Sequence, residues 1–122
     1  MKKSVFINLS NHPSANWNAK QKEAAEALAE RIIDIPFPNV PPTDDLDGVV
    51  SLVRQNLEAI DGIARWEDIV LHVAGEPTFV AQMVQHAPRE ATLVCSTTER
   101  VSVEKDGVKT SVFTFCQFRA LR

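Results

Sequence analysis

The stretch IVLHVAGEPTFVAQMVQHAPREATLVCS, residues 69–96, decides the fold. Its first six residues form an apolar run without alternation, as in a strand covered on both faces of a parallel sheet. A turn of Gly75, Glu76, Pro77 and Thr78 follows, after which Phe79, Val80, Met83 and Val84 recur at helical spacing as far as Pro88. Residues 92–96 then make a second buried strand. Strand, helix and strand in that order form a parallel pair with a crossover helix, because a parallel return needs a long connection.

The same alternation extends toward the amino terminus. Val5, Phe6, Ile7 and Leu9 make a nearly continuous apolar strand, broken by residues 10–14. Asn18 and Gln21 have capping-box spacing, and Ala24, Ala25, Leu28 and Ala29 share one face, which predicts a helix over 18–31. Residues 31–35 read as a second strand, stopped by Pro36 and Pro38, with a stiff connector over 36–42. Thr43, Asp44 and Asp45 supply caps for a helix carrying Leu46, Val49, Val50, Val53, Leu57 and Ile60, which ends near Gly62. The order is βαβαβαβ: an α/β fold with a mainly parallel sheet flanked by helices. Beyond it, residues 101–104 and 110–118 flank Asp106-Gly107, a strong turn signal, and predict a C-terminal β-hairpin added to the sheet.

Composition limits what this fold can do. A chain of 122 residues with 44% hydrophobic and 24% charged residues suits one packed domain over residues 1–122. A net charge of −3 argues against a broad footprint on long nucleic acid, which needs clustered Lys and Arg, but allows a small anion in a local pocket. No stretch approaches the roughly 20 apolar residues of a membrane span, and the apolar run after Met1 to Lys3 is too short for a signal peptide, so a cytoplasmic protein is expected. Cys95 and Cys116 form no C-x-x-C and have no His at metal-ligand spacing, which predicts buried reduced thiols and no metal site. His72, within an apolar strand, and His86, at a helix end, read as structural.

In an open α/β sheet, ligands bind outside the carboxyl ends of the strands. Three segments there could carry chemistry. The first holds Asn8, Ser10, Asn11, His12, Pro13, Ser14 and Trp17. His12 suits a general acid, base or phosphate donor, and Trp17 a stacking surface for a base, although capping by Asn and Ser with Trp17 as a staple accounts for the same residues. In the second, Gly75 would let backbone approach a ligand, Thr78 would cap the helix or donate to a phosphate, and Glu76 would meet a hydroxyl or base edge or lie in solvent. The third, Ser96, Thr97, Thr98, Glu99 and Arg100, offers three hydroxyls and a guanidinium suited to phosphate, or else a turn with Arg100 paired to Glu99 or Glu104. No G-x-G-x-x-G, Walker loop, G-x-S-x-G or H-E-x-x-H is present, which ranks dinucleotide redox, NTPase and triad hydrolase chemistry low.

The runs FINLSNHPSANW, HVAGEPTF and CSTTER resemble the ligand loops of small CRISPR-associated Rossmann-fold (CARF) proteins, especially compact stand-alone ring nucleases. In such domains the second loop is often a glycine-threonine turn, whereas here Glu76 and Pro77 intervene between Gly75 and Thr78. The resemblance implies a Rossmann-like, CARF-like sheet and a homodimer that binds a cyclic oligoadenylate, cyclic tetra-adenylate above all, across its two-fold axis. It also implies cleavage without metal or cofactor, by attack of a ribose 2′-hydroxyl on the adjacent phosphate, which would switch off type III CRISPR signalling. On that basis His12, Arg100 and Ser14 are the catalytic candidates, with His12 moving a proton and Arg100 offsetting charge. Ser10, Asn11, Ser14 and Thr97 would orient phosphates; Asn8, Trp17, Gly75, Glu76, Thr78, Ser96 and Thr98 complete the ligand-binding set. The alternatives are a nucleotide-binding sensor or sequestering module without catalysis, and a structural protein that pairs through its exposed hairpin edge.

Overall fold

The computed structural model describes residues 2–122; Met1, at the head of the basic amino-terminal stretch, lies outside them. Five strands form one sheet: β1 (Lys3–Ser10), β2 (Ala29–Pro36), β3 (Ile69–Ala74), β4 (Thr92–Lys105) and β5 (Val108–Ala120), in the spatial order β2-β1-β3-β4-β5. β1 pairs in parallel with β2 and β3, β3 pairs in parallel with β4, and β5 runs antiparallel to β4. Helices α1 (Ala19–Leu28), α2 (Leu46–Asp61) and α3 (Pro77–His86) make the crossovers. The mainly parallel α/β sheet with a terminal hairpin is therefore what the chain builds.

Each central strand sends its apolar residues to both faces. Val5, Ile7 and Leu9 of β1 join Ile69, Leu71 and Val73 of β3 under α2 and α3, where Val49, Val53, Ile60, Phe79 and Met83 are buried. The intervening residues Phe6, Val70 and Val94 face the other way, toward α1, and pack with Trp17, Ala25, Ala29 and Phe118. Two helices thus cover one face and a single short helix covers the other. Beyond Phe6 and Val70, the second face turns polar at Asn8, Ser10 and His72, all three of them buried.

The elements differ in extent from the sequence expectation, most of all at two places. α1 stops at Leu28, and Ala29 is already extended at φ −149° and ψ 160°, paired with Lys3 of β1. Residues 29–31 have helical spacing, yet the parallel ladder with β1 satisfies their backbone and takes them into β2. The larger difference is β4, which runs unbroken for 14 residues, so Ser96 to Arg100 are strand and not loop. Each residue of that segment has a partner on β5, from Ser96 opposite Phe118 to Arg100 opposite Phe113. β5 carries one extra residue, Cys116, between the partners of Thr97 and Thr98. That bulge places Phe113, Phe115 and Phe118 on one side of the ribbon despite their mixed spacing. Asp106 (φ 53°) and Gly107 (φ 78°) close the hairpin with both central residues left-handed, the geometry that matches strand twist. No helix among the described residues is long and apolar enough to cross a membrane.

Candidate functional site

The strand order reverses between β1 and β3, and the polar face of the sheet lies at the carboxyl ends of the strands there. Three side chains stand in register across adjacent strands: Asp34 of β2 opposite Asn8 of β1, and His72 of β3 opposite Asn8 on its other side. The Asn8 amide donates to Asp34 Oδ1 at 2.8 Å and to the His12 carbonyl at 2.9 Å. Its Oδ1 accepts from Ser10 Oγ at 2.8 Å and meets His72 Nδ1 at 2.8 Å. Both Nδ2 partners are acceptors only, which fixes the amide's orientation and makes His72 Nδ1 the protonated nitrogen. All four hydrogen-bonding positions of Asn8 are therefore used within the protein.

The consequence for His72 is a neutral ring whose Nε2 lone pair has no partner and is buried. Phe6 stacks beside it, while Trp17 and Phe118 stand edge-on to it. Burial pushes the imidazole down to about 4, with nearby His12 acting in the same direction. Asp34 is the opposite case: partial burial raises it, but hydrogen bonds from the Asn8 amide and from the Ser14 hydroxyl and N–H prevail and hold the carboxyl below its ordinary range.

The loop after β1 is pinned to this row by its backbone. The His12 carbonyl accepts from Asn8 and, at 3.0 Å, from the Trp17 indole Nε1, while the His12 N–H donates to Ser10 Oγ at 3.2 Å. Ser14 donates its hydroxyl to Asp34 Oδ2 at 2.8 Å and its N–H to Asp34 Oδ1 at 3.0 Å. Asn18 then caps α1 by accepting from the Gln21 N–H, as its spacing predicts. Asn11, His12 and Pro13 remain exposed. Their side chains border a cleft of about 340 Å³ whose other walls include Asn16, Gln21, Thr98, Phe113 and Phe115.

Several candidates occupy places other than those expected. Asn8 and Ser10 are 1% and 5% exposed and committed to internal bonds, so they hold the loop and offer no free group to a ligand. Trp17 is 8% exposed, perpendicular to Phe6, with its indole N–H used; it borders the cleft as a wall, not as an open stacking plate. Thr97 bonds the Gln117 carbonyl, and strand alternation turns it away from the face that carries Thr98. Ser96 is half-buried opposite Phe118. Arg100 lies two pairs beyond Thr98 on the same face, where its Nε donates to Ser111 Oγ at 3.0 Å, and not to Glu99 or Glu104.

The segment after β3 does not reach this cleft. Glu76, not Thr78, caps α3: its carboxylate accepts from the N–H groups of Thr78 and Phe79, each at 2.9 Å, and from the Thr78 hydroxyl. Those bonds, led by the Thr78 hydroxyl, hold Glu76 below its usual range, and its charge occupies the helix end that a phosphate would need. Gly75 serves packing: a Cβ there would come within 2.5 Å of the Phe37 ring, which stands edge-on to Phe79. Glu76 borders a neighbouring recess of about 380 Å³ with Asn39 and Phe37, and Asn11 is shared between the two hollows. Thus the first segment and Thr98 meet in one cleft, with the second segment beside it.

Sequence reasoning passed over Asp34. Its signal was present, a single carboxylate set between isoleucines at the carboxyl end of a strand, the edge where α/β sheets place their ligands. Cys95 and Cys116 are free thiols and only half-buried, the second because it forms the bulge. Among the described residues, no group of three or more His, Cys, Asp and Glu side chains is placed to hold a metal ion.

No curated protein and no solved structure matches the chain. Residues 4–119 match a family defined by sequence, a span that includes all three helices and the whole of the Asp34–Asn8–His72 row. The chain belongs to the Uncharacterized protein MJ1673 family.

Proposed function

We propose that this chain is a ring nuclease of Rossmann-like, CARF-like fold that binds and cleaves a cyclic oligoadenylate in the cytoplasm, ending a type III CRISPR signal. The observation that carries the reading is the exposed His12 imidazole, fixed on a pinned backbone at the edge of a cleft shared with Thr98, Phe113 and Phe115. The strand order, with its reversal at β1 and β3 beside this cleft, supports the same assignment.

The chemistry needs positioning more than an added reagent. A ribose 2′-oxygen forms a bond to the adjacent phosphorus while the bond from phosphorus to the 5′-oxygen breaks. The 2′-hydroxyl proton leaves through His12 and the 5′-oxygen takes up a proton, so the product is a linear isomer with a 2′,3′-cyclic phosphate and a 5′-hydroxyl. Alignment of the attacking oxygen supplies most of the acceleration, and Arg100, released from Ser111, offsets charge at the phosphate. Exposed Phe113 and half-polar walls of Asn and Gln suit a purine. The cleft is at the small end of the roughly 300–1,000 Å³ usual for ligand sites, which suits part of a four-nucleotide ring and favours a homodimer that doubles it. Exposed Val101, Val103, Val112 and Phe113 on the hairpin favour association as well.

The test is incubation of purified protein with cyclic tetra-adenylate in EDTA, with chromatography of products and light scattering for mass. A dimer and the linear cyclic-phosphate product are expected, and His12→Ala is expected to lower the rate about 10²-fold or more while leaving binding nearly intact. Absence of both product and binding would end the proposal; an unchanged rate would remove His12 from the mechanism. One observation favours a second reading, a sensor that binds without turnover: no Lys or Arg borders the cleft, and Arg100 is engaged elsewhere. Tight binding with no product would select it.

A further inference from the structure

Asp34 was not among the residues that suggested the activity, yet it anchors the His12 loop, directly at Ser14 and through the Asn8 amide at the His12 carbonyl. Its Oδ1 accepts from both the Asn8 amide and the Ser14 N–H, and its Oδ2 from the Ser14 hydroxyl. Asn8 passes that constraint to the His12 carbonyl and, through Oδ1, to Ser10, which in turn receives the His12 N–H. The carboxylate thus holds the loop at two points, residue 14 directly and residue 12 through one amide. We infer that Asp34 is a positioning residue for His12, acting through Asn8 and Ser14, and not a base in the reaction; the inference rests on the reading of His12 as the proton-transfer group.

Two features separate this role from the obvious alternative, in which Asp34 takes a proton from Ser14 or from substrate. The first is saturation. Three donors converge on two oxygens, and a carboxylate stabilised by three hydrogen bonds is a weak base. The second is what an amide could replace. In Asp34→Asn the remaining oxygen can still accept from the Asn8 amide and the Ser14 N–H, while the new NH₂ can donate to Ser14 Oγ, which reverses its hydroxyl. Positioning survives that exchange and proton transfer does not. The same geometry commits the Ser14 proton to Asp34, so Ser14 helps to set the loop and faces a phosphate only with its lone pairs.

The experiment compares Asp34→Asn, Asp34→Ala and the wild-type chain in single-turnover cleavage of cyclic tetra-adenylate, with exchange of the Trp17 indole N–H and the His12 amide N–H followed by NMR. Asp34→Ala is expected to lose about 10²-fold in rate, the scale of an ångström-sized misplacement, with a smaller change in binding. It should also speed exchange at both protons, which the pinned loop protects. Asp34→Asn is expected to restore the protection and to cleave within about three-fold of wild type, a difference worth under 1 kcal/mol of barrier. An Asn variant with intact protection but a rate as low as that of Ala would overturn the inference and make Asp34 a proton carrier. Unchanged protection in Asp34→Ala would overturn it from the other side. If the wild-type chain cleaves nothing, the exchange measurements still decide whether Asp34 sets the loop, and the failure then belongs to the proposed activity.

Discussion

His72 shows how one side chain can stabilise a site and limit the conditions in which it persists. Its ring is neutral because burial disfavours the charge, and its one protonated nitrogen is spent on Asn8. An unfolded chain protonates this imidazole near 6.5, whereas the folded chain resists until about 4. Over that window the unfolded state binds the additional proton, so stability falls as pH drops from 6.5 to 4 and then levels off; by linkage the loss is about 3 kcal/mol. Asp34 acts later and in the same direction: with its carboxyl held low, its contribution is present above the ordinary value of 3.8 and disappears as pH falls through the folded value. Denaturation midpoints of wild type and His72→Phe between pH 7 and 4 check this. The variant is expected to be less stable at pH 7, because Asn8 loses a donor, and to show a much flatter profile above pH 4. A profile as steep as wild type would place the acid sensitivity elsewhere.

At the scale of elements, the hairpin of β4 and β5 is the feature on which the cleft depends and the one with least support. Its base is held by Phe118, which packs against Trp17 and His72 and is backed by Phe115, but from Glu99 to Thr114 it stands exposed on both faces. An isolated two-stranded ribbon is marginal in water, so its turn chemistry counts for much of its order. Gly107 sits at φ 78° with open space where a side chain would go, so a substitution there meets backbone strain without a clash. Gly107→Val is expected to cost on the order of 1–2 kcal/mol locally. Amide exchange should quicken from Arg100 to Val112 while the β1 and β3 amides stay protected. If exchange is unaffected, the ribbon is held by something other than its turn.

The molecule as a whole divides by face. The side under α2 and α3 is apolar throughout and serves stability; the side under α1 changes from apolar to polar along the same strands and borders the cleft. Large-to-small substitutions should therefore have different reach. Met83→Ala and Phe6→Ala each empty a fully buried site and are expected to cost about 2–5 kcal/mol. Only Phe6→Ala removes the ring beneath His72 and Trp17, so only it should change Trp17 fluorescence and ligand affinity beyond the loss of folded protein. Equal effects of the two on the cleft would mean that the faces are mechanically coupled across the sheet.

The periodicity of apolar residues determined the element order, the parallel core and the hairpin, because burial patterns are local and repeat within each segment. Asn18, a cap within residues 43–45 and the turn at Asp106-Gly107 were legible for the same reason, since a cap or turn is made by neighbours in sequence. Only tertiary structure decided that residues 96–100 are strand, that Gly75 packs against an aromatic ring, and that Asn8 faces inward. Those outcomes depend on partners far along the chain: a β5 bulge opposite Thr97 and Thr98, a Phe37 ring over Gly75, and Asp34 and His72 brought into line with Asn8. A hydrogen-bonded row across three parallel strands joins residues 26 and 64 positions apart, and no local pattern of polarity encodes which of them will meet.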